Sequence, residues 1–538
     1  MKKLLLGNEA LAQGAIDAGI SGVYAYPGTP STEITEYIQK SKLAEELNIH
    51  SQWSVNEKTA MEAALGMSYA GKRSMTVMKH VGLNVAADVF MNMSVSGING
   101  GLVVVVADDP SMHSSQNEQD SRYYGRFAMI PILEPSTQQE CYEITKYAFD
   151  LSEKMGLPIM IRLVTRLSHS RAGVKTGDRI AQNKIKLPTN QTQFQLIPMH
   201  ARGRYQHLVD IQGDNRESSE KSPFNTFFNG DDTSMGIIAS GIAYNYLMEN
   251  YEDGECPYPI LKISQYPLPK TRIKNLFDNC DKILVLEDGY PFIEEIISDF
   301  LAENRAVIGR LSGHVNRVGE LDPDSIKKAL GFEVEITESI PEVVSGRPPE
   351  LCVGCAHRDL FNAVNVLGKE NSSQKVFGDI GCYALGVLDP FASIDTLIDM
   401  GASITMAKGA SDAGIHPAIA IIGDSTFTHS GMTGLLEAVI EDTPITVIIS
   451  DNSAIAMTGA QDSAASGRIV DICKGIGIAE EHLILITPLH KNLQNNIDLI
   501  RNEINHPGVS VIIAQRPCVQ LPKEKKDLLR KIKNISLN

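Results

Sequence analysis

The residues with the most chemistry in them lie in one stretch, AIAIIGDSTFTHSGMTGLLEAVIEDTPITVIISDNSAIAMTGAQ, residues 418–461. Residues 418–422 read as a strand, 430–441 as a helix and 445–450 as a second strand, which makes one βαβ unit. A right-handed crossover sets the two strands parallel, so their carboxyl ends share an edge. Asp424 follows the first strand and Asn452 follows the second, 28 positions later. Two hard oxygen ligands therefore converge on the edge where open α/β sheets bind their ligands. Mg²⁺ prefers such oxygens and shares its shell with water and phosphates. A helix opening near Ser430 would add N–H groups for a phosphate. Gly423-Asp424 or Asp451-Asn452 alone is more often a plain turn. The pair at this spacing is what carries information.

Other residue types suited to catalysis are scattered. Glu57 opens a helix behind Asn56, a plausible N-cap; an acid in a first turn is also simply favoured by the helix dipole, and Glu62 is its rival five positions on. Tyr26-Pro27-Gly28-Thr29-Pro30-Ser31-Thr32 is a rigid turn between a strand and a helix. Arg122 and Arg126 could each grip a carboxylate bidentately, or sit in surface ion pairs. Cys352-Val-Gly-Cys355-Ala-His357 could be half of a metal site, but no second Cys-x-x-Cys completes it. His429 has no spacing argument, and Met457 reads as packing.

Alternating helices and short β-branched runs must position these groups. Up to residue 170 strands near 22–26, 75–79 and 102–107 are separated by helices near 9–17, 57–69 and 84–93, as in parallel βαβ units. Residues 171–234 lose that rhythm and read as a connecting segment. Alternation resumes over 235–315, with strands near 235–240, 259–264 and 282–286. A polar linker, 316–349, leads to a third α/β domain over 350–520, and 521–538 is a basic tail. The fold class is α/β, with three doubly wound, mostly parallel-sheet domains.

Bulk properties narrow the function. At 538 residues the chain exceeds one hydrophobic core. A formal net charge of -16 argues against nucleic-acid binding. The apolar run 102–107 has the length of a buried strand, not of a membrane span. Leu4–Leu6 is too short for a signal-peptide core, and eight scattered cysteines suit thiols, so a cytoplasmic protein is expected.

The phrases GDSTFTHSGM, DNSAIAMTGAQ, LCVGCAHR and GDIGCYALG resemble those of the large (alpha) subunits of the thiamine-diphosphate-dependent 2-oxoacid:ferredoxin oxidoreductases, in order and over nearly the whole chain. The resemblance implies two thiamine-diphosphate-binding domains with a transketolase C-terminal-like domain between them in sequence. It implies Mg²⁺ held by Asp424, Asn452 and the carbonyl of Ala454. Gly423, Ser425, Thr458, Cys355, His357, Gly381 and Cys382 would then lie against the cofactor. Glu57 would stand beside N1′ of the aminopyrimidine, whose protonation favours the imino tautomer that removes the C2 proton. Thr29 would contact the substrate carboxylate, with Arg122 as its cation.

The implied activity is oxidative decarboxylation of aryl (indolepyruvate-like) or other 2-oxo acids to an acyl-CoA. The implied partners are coenzyme A, a smaller beta subunit, and ferredoxin or a separate iron–sulfur protein. Relatives continue into a region with two Cys-x₂-Cys-x₂-Cys-x₃-Cys-Pro runs. Here Arg516-Pro517-Cys518 is followed only by the basic tail, so iron–sulfur clusters are expected not to be encoded in this chain. That expectation keeps two alternatives open: a non-oxidative thiamine-dependent lyase that releases aldehyde, and a non-catalytic subunit that keeps the cofactor fold.

Overall fold

Leu102–Asp108 and Ile159–Val164 are buried at every position, which is why they lack polar alternation: helices cover both faces of their sheet. The computed structural model describes residues 2–301, 306–334, 343–346 and 348–527. The chain divides into two compact units, Met1–Glu338 and Ser339–Asn538.

The first unit contains two larger sheets. One has seven strands in the order Gln265–Tyr266, Ile132–Leu133, Ile159–Val164, Leu102–Asp108, Ser74–Lys79, Gly22–Ala25, His50–Trp53. All are parallel except Gln265–Tyr266, which runs antiparallel to Ile132–Leu133. The other has Ala306–Ile308, Lys282–Leu286, Gly236–Ser240 and Ile260–Ile263 in parallel, closed by antiparallel Thr226–Phe228. The sequence segment 235–315 thus contributes a strand to the N-terminal sheet, a long-range pairing that no local pattern announces.

The stretch read as a connection, 171–234, is more structured than expected. Arg171–Lys175 pairs with Lys2–Leu6, and helices Pro198–Asp210 and Gln212–Glu220 follow. These helices are polar on most faces, which explains why periodicity does not reveal them. The expected helix over 84–93 is two helices, His80–Val85 and Ala87–Ser96. The helix Glu57–Tyr69 starts where the cap predicts: Asn56 Oδ1 accepts from Thr59 N–H at 2.9 Å.

The second unit is one parallel five-stranded sheet, in the order Lys375–Gly378, Ala418–Gly423, Thr446–Asp451, Ser510–Gln515, Leu483–Ile486. Gly423 pairs with Ser450, so Asp424 and Asn452 leave adjacent strands at the same edge. Part of the linker and residues 528–538 of the basic tail lie outside the described residues. Among the described residues no helix is long and apolar enough to cross a membrane.

Candidate active site

In the second unit the strand Ala418–Gly423 runs straight into a helix that begins at Asp424 itself. The expectation of a helix from Ser430 is corrected: helical backbone spans 424–440, with a π-helical turn at Phe427–Gly431. Such turns recur at functional sites because they re-aim side chains. The first N–H groups of this helix therefore belong to 424–426, beside the carboxylate. Gly423 and Gly381 are needed for space, because a Cβ on either would come within 2.5 Å of the Tyr383 ring. The Tyr383 hydroxyl in turn donates to the Ile380 carbonyl at 2.8 Å.

Asp424 is buried, and its Oδ2 has no hydrogen-bond partner. The Ser463 hydroxyl bonds to the same carboxylate. Burial pushes the carboxyl up to about 8, with the nearby Asp451 charge adding to the rise. An unsatisfied buried polar oxygen costs about 1–3 kcal/mol, and more for a charged group. A cation at Oδ2 removes that cost. Asn452, from the end of the adjacent strand, is also buried, and its Oδ1 accepts from Ala454 N–H at 3.0 Å. An amide oxygen has two lone pairs, so one remains for a cation. Asp451, by contrast, is occupied by Ser453 and Gln515. These residues fit Mg²⁺ and a diphosphate.

The remaining residues of this unit divide. Asp379 of the Gly-Asp-Ile-Gly-Cys phrase caps the helix Ala402–Asp412, accepting from Gly401 N–H, Ser403 N–H and Ser403 Oγ, and burial pushes it up to about 6. Thr458 Oγ1 donates to Gln461 Oε1 at 2.7 Å within the loop after Asn452. Ser425 is buried and its carbonyl accepts from Thr428. His429 is buried in the π turn, 2.6 Å from Ser430 Oγ. Met457 is 54% exposed, which corrects its reading as packing.

Four cysteines that no contiguous motif joins are neighbours here. Gln520 donates to Cys352 Sγ at 3.4 Å and to Cys518 Sγ at 3.5 Å. Burial raises Cys382 to about 12, with further upward pushes from Cys518, Cys355 and Cys352. Cys355 Sγ lies 3.3 Å from His357 Nδ1, and burial alone pulls His357 down to about 4, leaving a neutral ring. Cys518 N–H donates to the Asn452 carbonyl at 3.0 Å, which ties the thiols to the Asp424–Asn452 edge. Among the described residues no three side chains converge as ligands of a single metal ion. Sequence reading missed Cys518 because 136 residues separate it from Cys382. Ser463 was missed as well, since a serine in a loop carries no periodic signal.

In the first unit Glu57 is 5% exposed, and its carboxylate lies over the start of the helix His80–Val85: a Cβ on Gly82 would meet Oε1 at 2.5 Å. Glu62 instead faces solvent and pairs with Lys58 at 2.5 Å. Of the two rivals, only Glu57 is enclosed. Thr29 sits half-buried in its turn, which Ser31 and Thr32 hold through Ser31 Oγ donating to the Gly28 carbonyl and Gly28 N–H donating to Thr32 Oγ1. Its carbonyl accepts from Ser114 Oγ at 3.3 Å.

Arg122 is where sequence reasoning fails. Its guanidinium is fully buried, 2.5 Å from Asp120, 2.9 Å from Glu287, and in reach of the Tyr266 hydroxyl and the Tyr290 carbonyl. Arg162 and Arg310 join the same cluster through Asp108, Glu134 and Asp288. Five carboxylates face three guanidiniums there, so the group retains protons: burial lifts Glu287 to about 7 and Asp288 to about 6. Protein acceptors surround Arg122, and it has no donor to offer a substrate. Arg126 is exposed.

A Gly-Asp and an Asp-Asn at the carboxyl edge of a parallel sheet, followed by a helix opening on the carboxylate, define the class of thiamine-diphosphate enzymes. Residues 13–214 match the family described as "Pyruvate flavodoxin/ferredoxin oxidoreductase, thiamine diP-bdg", and residues 379–476 match "Thiamine pyrophosphate enzyme, C-terminal TPP binding domain". The "Indolepyruvate oxidoreductase subunit IorA" of Archaeoglobus fulgidus is 38% identical over 97% of this chain and 87% of its own length. The protein of that name from Pyrococcus horikoshii is 37% identical over 98% of this chain and 88% of its own. A solved 2-oxoglutarate:ferredoxin oxidoreductase from Magnetococcus marinus is similar over 61% of this chain and 65% of its own, with a TM-score of 0.49 and 16% identity. The chain belongs to the family of indolepyruvate oxidoreductase IorA subunits, among the 2-oxoacid:ferredoxin oxidoreductases.

Proposed function

We propose that this chain is the large, cofactor-binding subunit of an enzyme that oxidatively decarboxylates 2-oxo acids, aryl ones of the indolepyruvate kind foremost, to acyl-CoA. Coenzyme A is the acyl acceptor, a ferredoxin-type protein takes the electrons, and a smaller beta subunit completes the enzyme in the cytoplasm. The observation that carries the proposal is the buried, partnerless Oδ2 of Asp424 at the sheet edge it shares with Asn452. Family membership supplies the reaction class.

In this reading Asp424, the Asn452 amide oxygen and the Ala454 carbonyl hold Mg²⁺, and the opening N–H groups of the helix receive a phosphate. Thiamine diphosphate supplies a carbon nucleophile and a sink for the electrons left when CO₂ departs. Glu57 holds a proton at the aminopyrimidine, where burial keeps that proton from water. Thr29 offers its hydroxyl to the substrate from a turn whose shape its neighbours lock.

The test is to purify the chain with its co-expressed partner under anaerobic conditions and supply thiamine diphosphate, Mg²⁺ and indolepyruvate. CoA-dependent reduction of a viologen dye, with acyl-CoA as product, is the expected result. Aldehyde released with no acceptor would establish the lyase instead, and absence of cofactor binding would establish a non-catalytic subunit.

A further inference from the structure

With Arg122 committed to the interior, the substrate carboxylate lacks a cation, and the same sheet edge offers one. Lys79 ends the strand Ser74–Lys79. Its stem lies against the turn that carries Thr29: a Cβ on Gly28 would sit 3.2 Å from Lys79 Cγ and Cδ. The ammonium donates to the Ser114 carbonyl at 2.9 Å, and the Ser114 hydroxyl donates to the Thr29 carbonyl. Lys79, Thr29 and Gly28 are all half-buried, so they line a surface that a small molecule reaches.

Lys79 differs from several other enclosed cations in what it touches. Arg73 has Asp150 at 2.7 Å, Lys262 has Glu140, and Lys408 has Glu441 at 2.6 Å. Lys79 forms no ion pair among the described residues. Its nearest charges act only through space: Asp109, from the loop after Leu102–Asp108, and Glu57, from the start of Glu57–Tyr69. Asp109 is already engaged by Thr165, Ser115 and Ser114. A cation held out of bulk water without a counter-ion is destabilised, and burial pulls Lys79 down to about 8 against the attraction of those two acids. An anionic group placed at Nζ relieves that cost.

We propose that Lys79, beside Thr29, binds the carboxylate of the 2-oxo acid and thereby sets the preference for acids over neutral carbonyl compounds. This rests on the reading of the chain as a 2-oxo acid enzyme and assigns a residue to its substrate. A carboxylate held at Lys79 orients the substrate before any bond breaks.

The test uses the complete enzyme with its partner subunit, loaded with thiamine diphosphate and Mg²⁺, and indolepyruvate as the probe. Lys79→Met is expected to raise KM about tenfold or more with a smaller change in kcat, while cofactor affinity and melting temperature stay unchanged. Lys79→Arg, which keeps the charge, is expected to stay near the wild-type KM. Wild-type kcat/KM should fall above about pH 8 as the ammonium deprotonates, and Lys79→Arg should remove that alkaline limb. An unchanged KM in Lys79→Met overturns the proposal while leaving the enzyme's function intact. So does a variant that loses stability or cofactor in place of substrate affinity. The wild-type pH profile needs no variant, and a flat kcat/KM through this range also overturns it. A wild-type enzyme that binds its cofactor but turns over no 2-oxo acid refutes the functional reading itself.

Discussion

Arg122 and Lys79 are both cations near the carboxyl ends of strands in the N-terminal sheet, yet their surroundings are opposite. Arg122 meets Asp120, Glu287, the Tyr266 hydroxyl and the Tyr290 carbonyl; Lys79 meets a single backbone carbonyl. The second unit repeats the contrast with carboxylates. Asp379 accepts from backbone and hydroxyl donors and ends as a helix cap, whereas Asp424 keeps one buried oxygen with no donor. Polar satisfaction separates the two classes. Of these four charges, those whose partners all come from the protein hold the fold, and each one left short at a ligand-binding sheet edge is open to chemistry; an unpartnered oxygen alone, such as Asp108 Oδ1 in the Arg122 cluster, is not enough.

The comparison breaks first, and with the largest effect, at Arg122. Arg122→Ala leaves Asp120 and Glu287 buried without their cation, at a cost of about 3–5 kcal/mol read from denaturant unfolding. An unchanged midpoint combined with a raised KM would return Arg122 to the substrate. Asp424→Ala comes next: it should weaken Mg²⁺-dependent thiamine diphosphate binding on the order of 100-fold, since losing a ligand exceeds the loss from its supports. Calorimetric titration measures this, and the apoprotein should unfold no earlier than wild type, because the partnerless carboxylate is a strain and not a support. Ser463→Ala, which removes the hydroxyl on the other side of that carboxylate, should weaken the same binding about tenfold. Glu62→Ala marks the lower limit. Its solvent-facing pair with Lys58 predicts no measurable change in activity or in the unfolding midpoint, in contrast to Glu57→Ala, which should abolish exchange of the cofactor C2 proton.

Parts of this site are legible in the residues themselves. The spacing of Asp424 and Asn452 predicts adjacent parallel strands, and Gly423 does pair with Ser450. Asn56 predicts the start of the helix that carries Glu57. The misreadings share one cause. Asp424-Ser425-Thr426 is composed of turn formers, so local propensity places the helix six residues late; burial of Phe427 and the packing of Gly431 hold it in helical form from its first residue. Arg122 reads as a substrate ligand because its partners, Tyr266 and Glu287, lie more than a hundred positions away.

Composition and spacing alone thus determined the class of fold, the sheet edge that Asp424 and Asn452 share and the capped start of the helix that carries Glu57, because each depends on contacts within one βαβ unit or one helical turn. Only the tertiary structure decided which charges are spent and which are left over. It buried Arg122, exposed Glu62, left Lys79 without an ion pair among the described residues and brought Cys518 beside Cys352. Those outcomes turn on how much protein surrounds each polar atom, and burial is a property of the assembled chain that no neighbouring residue encodes.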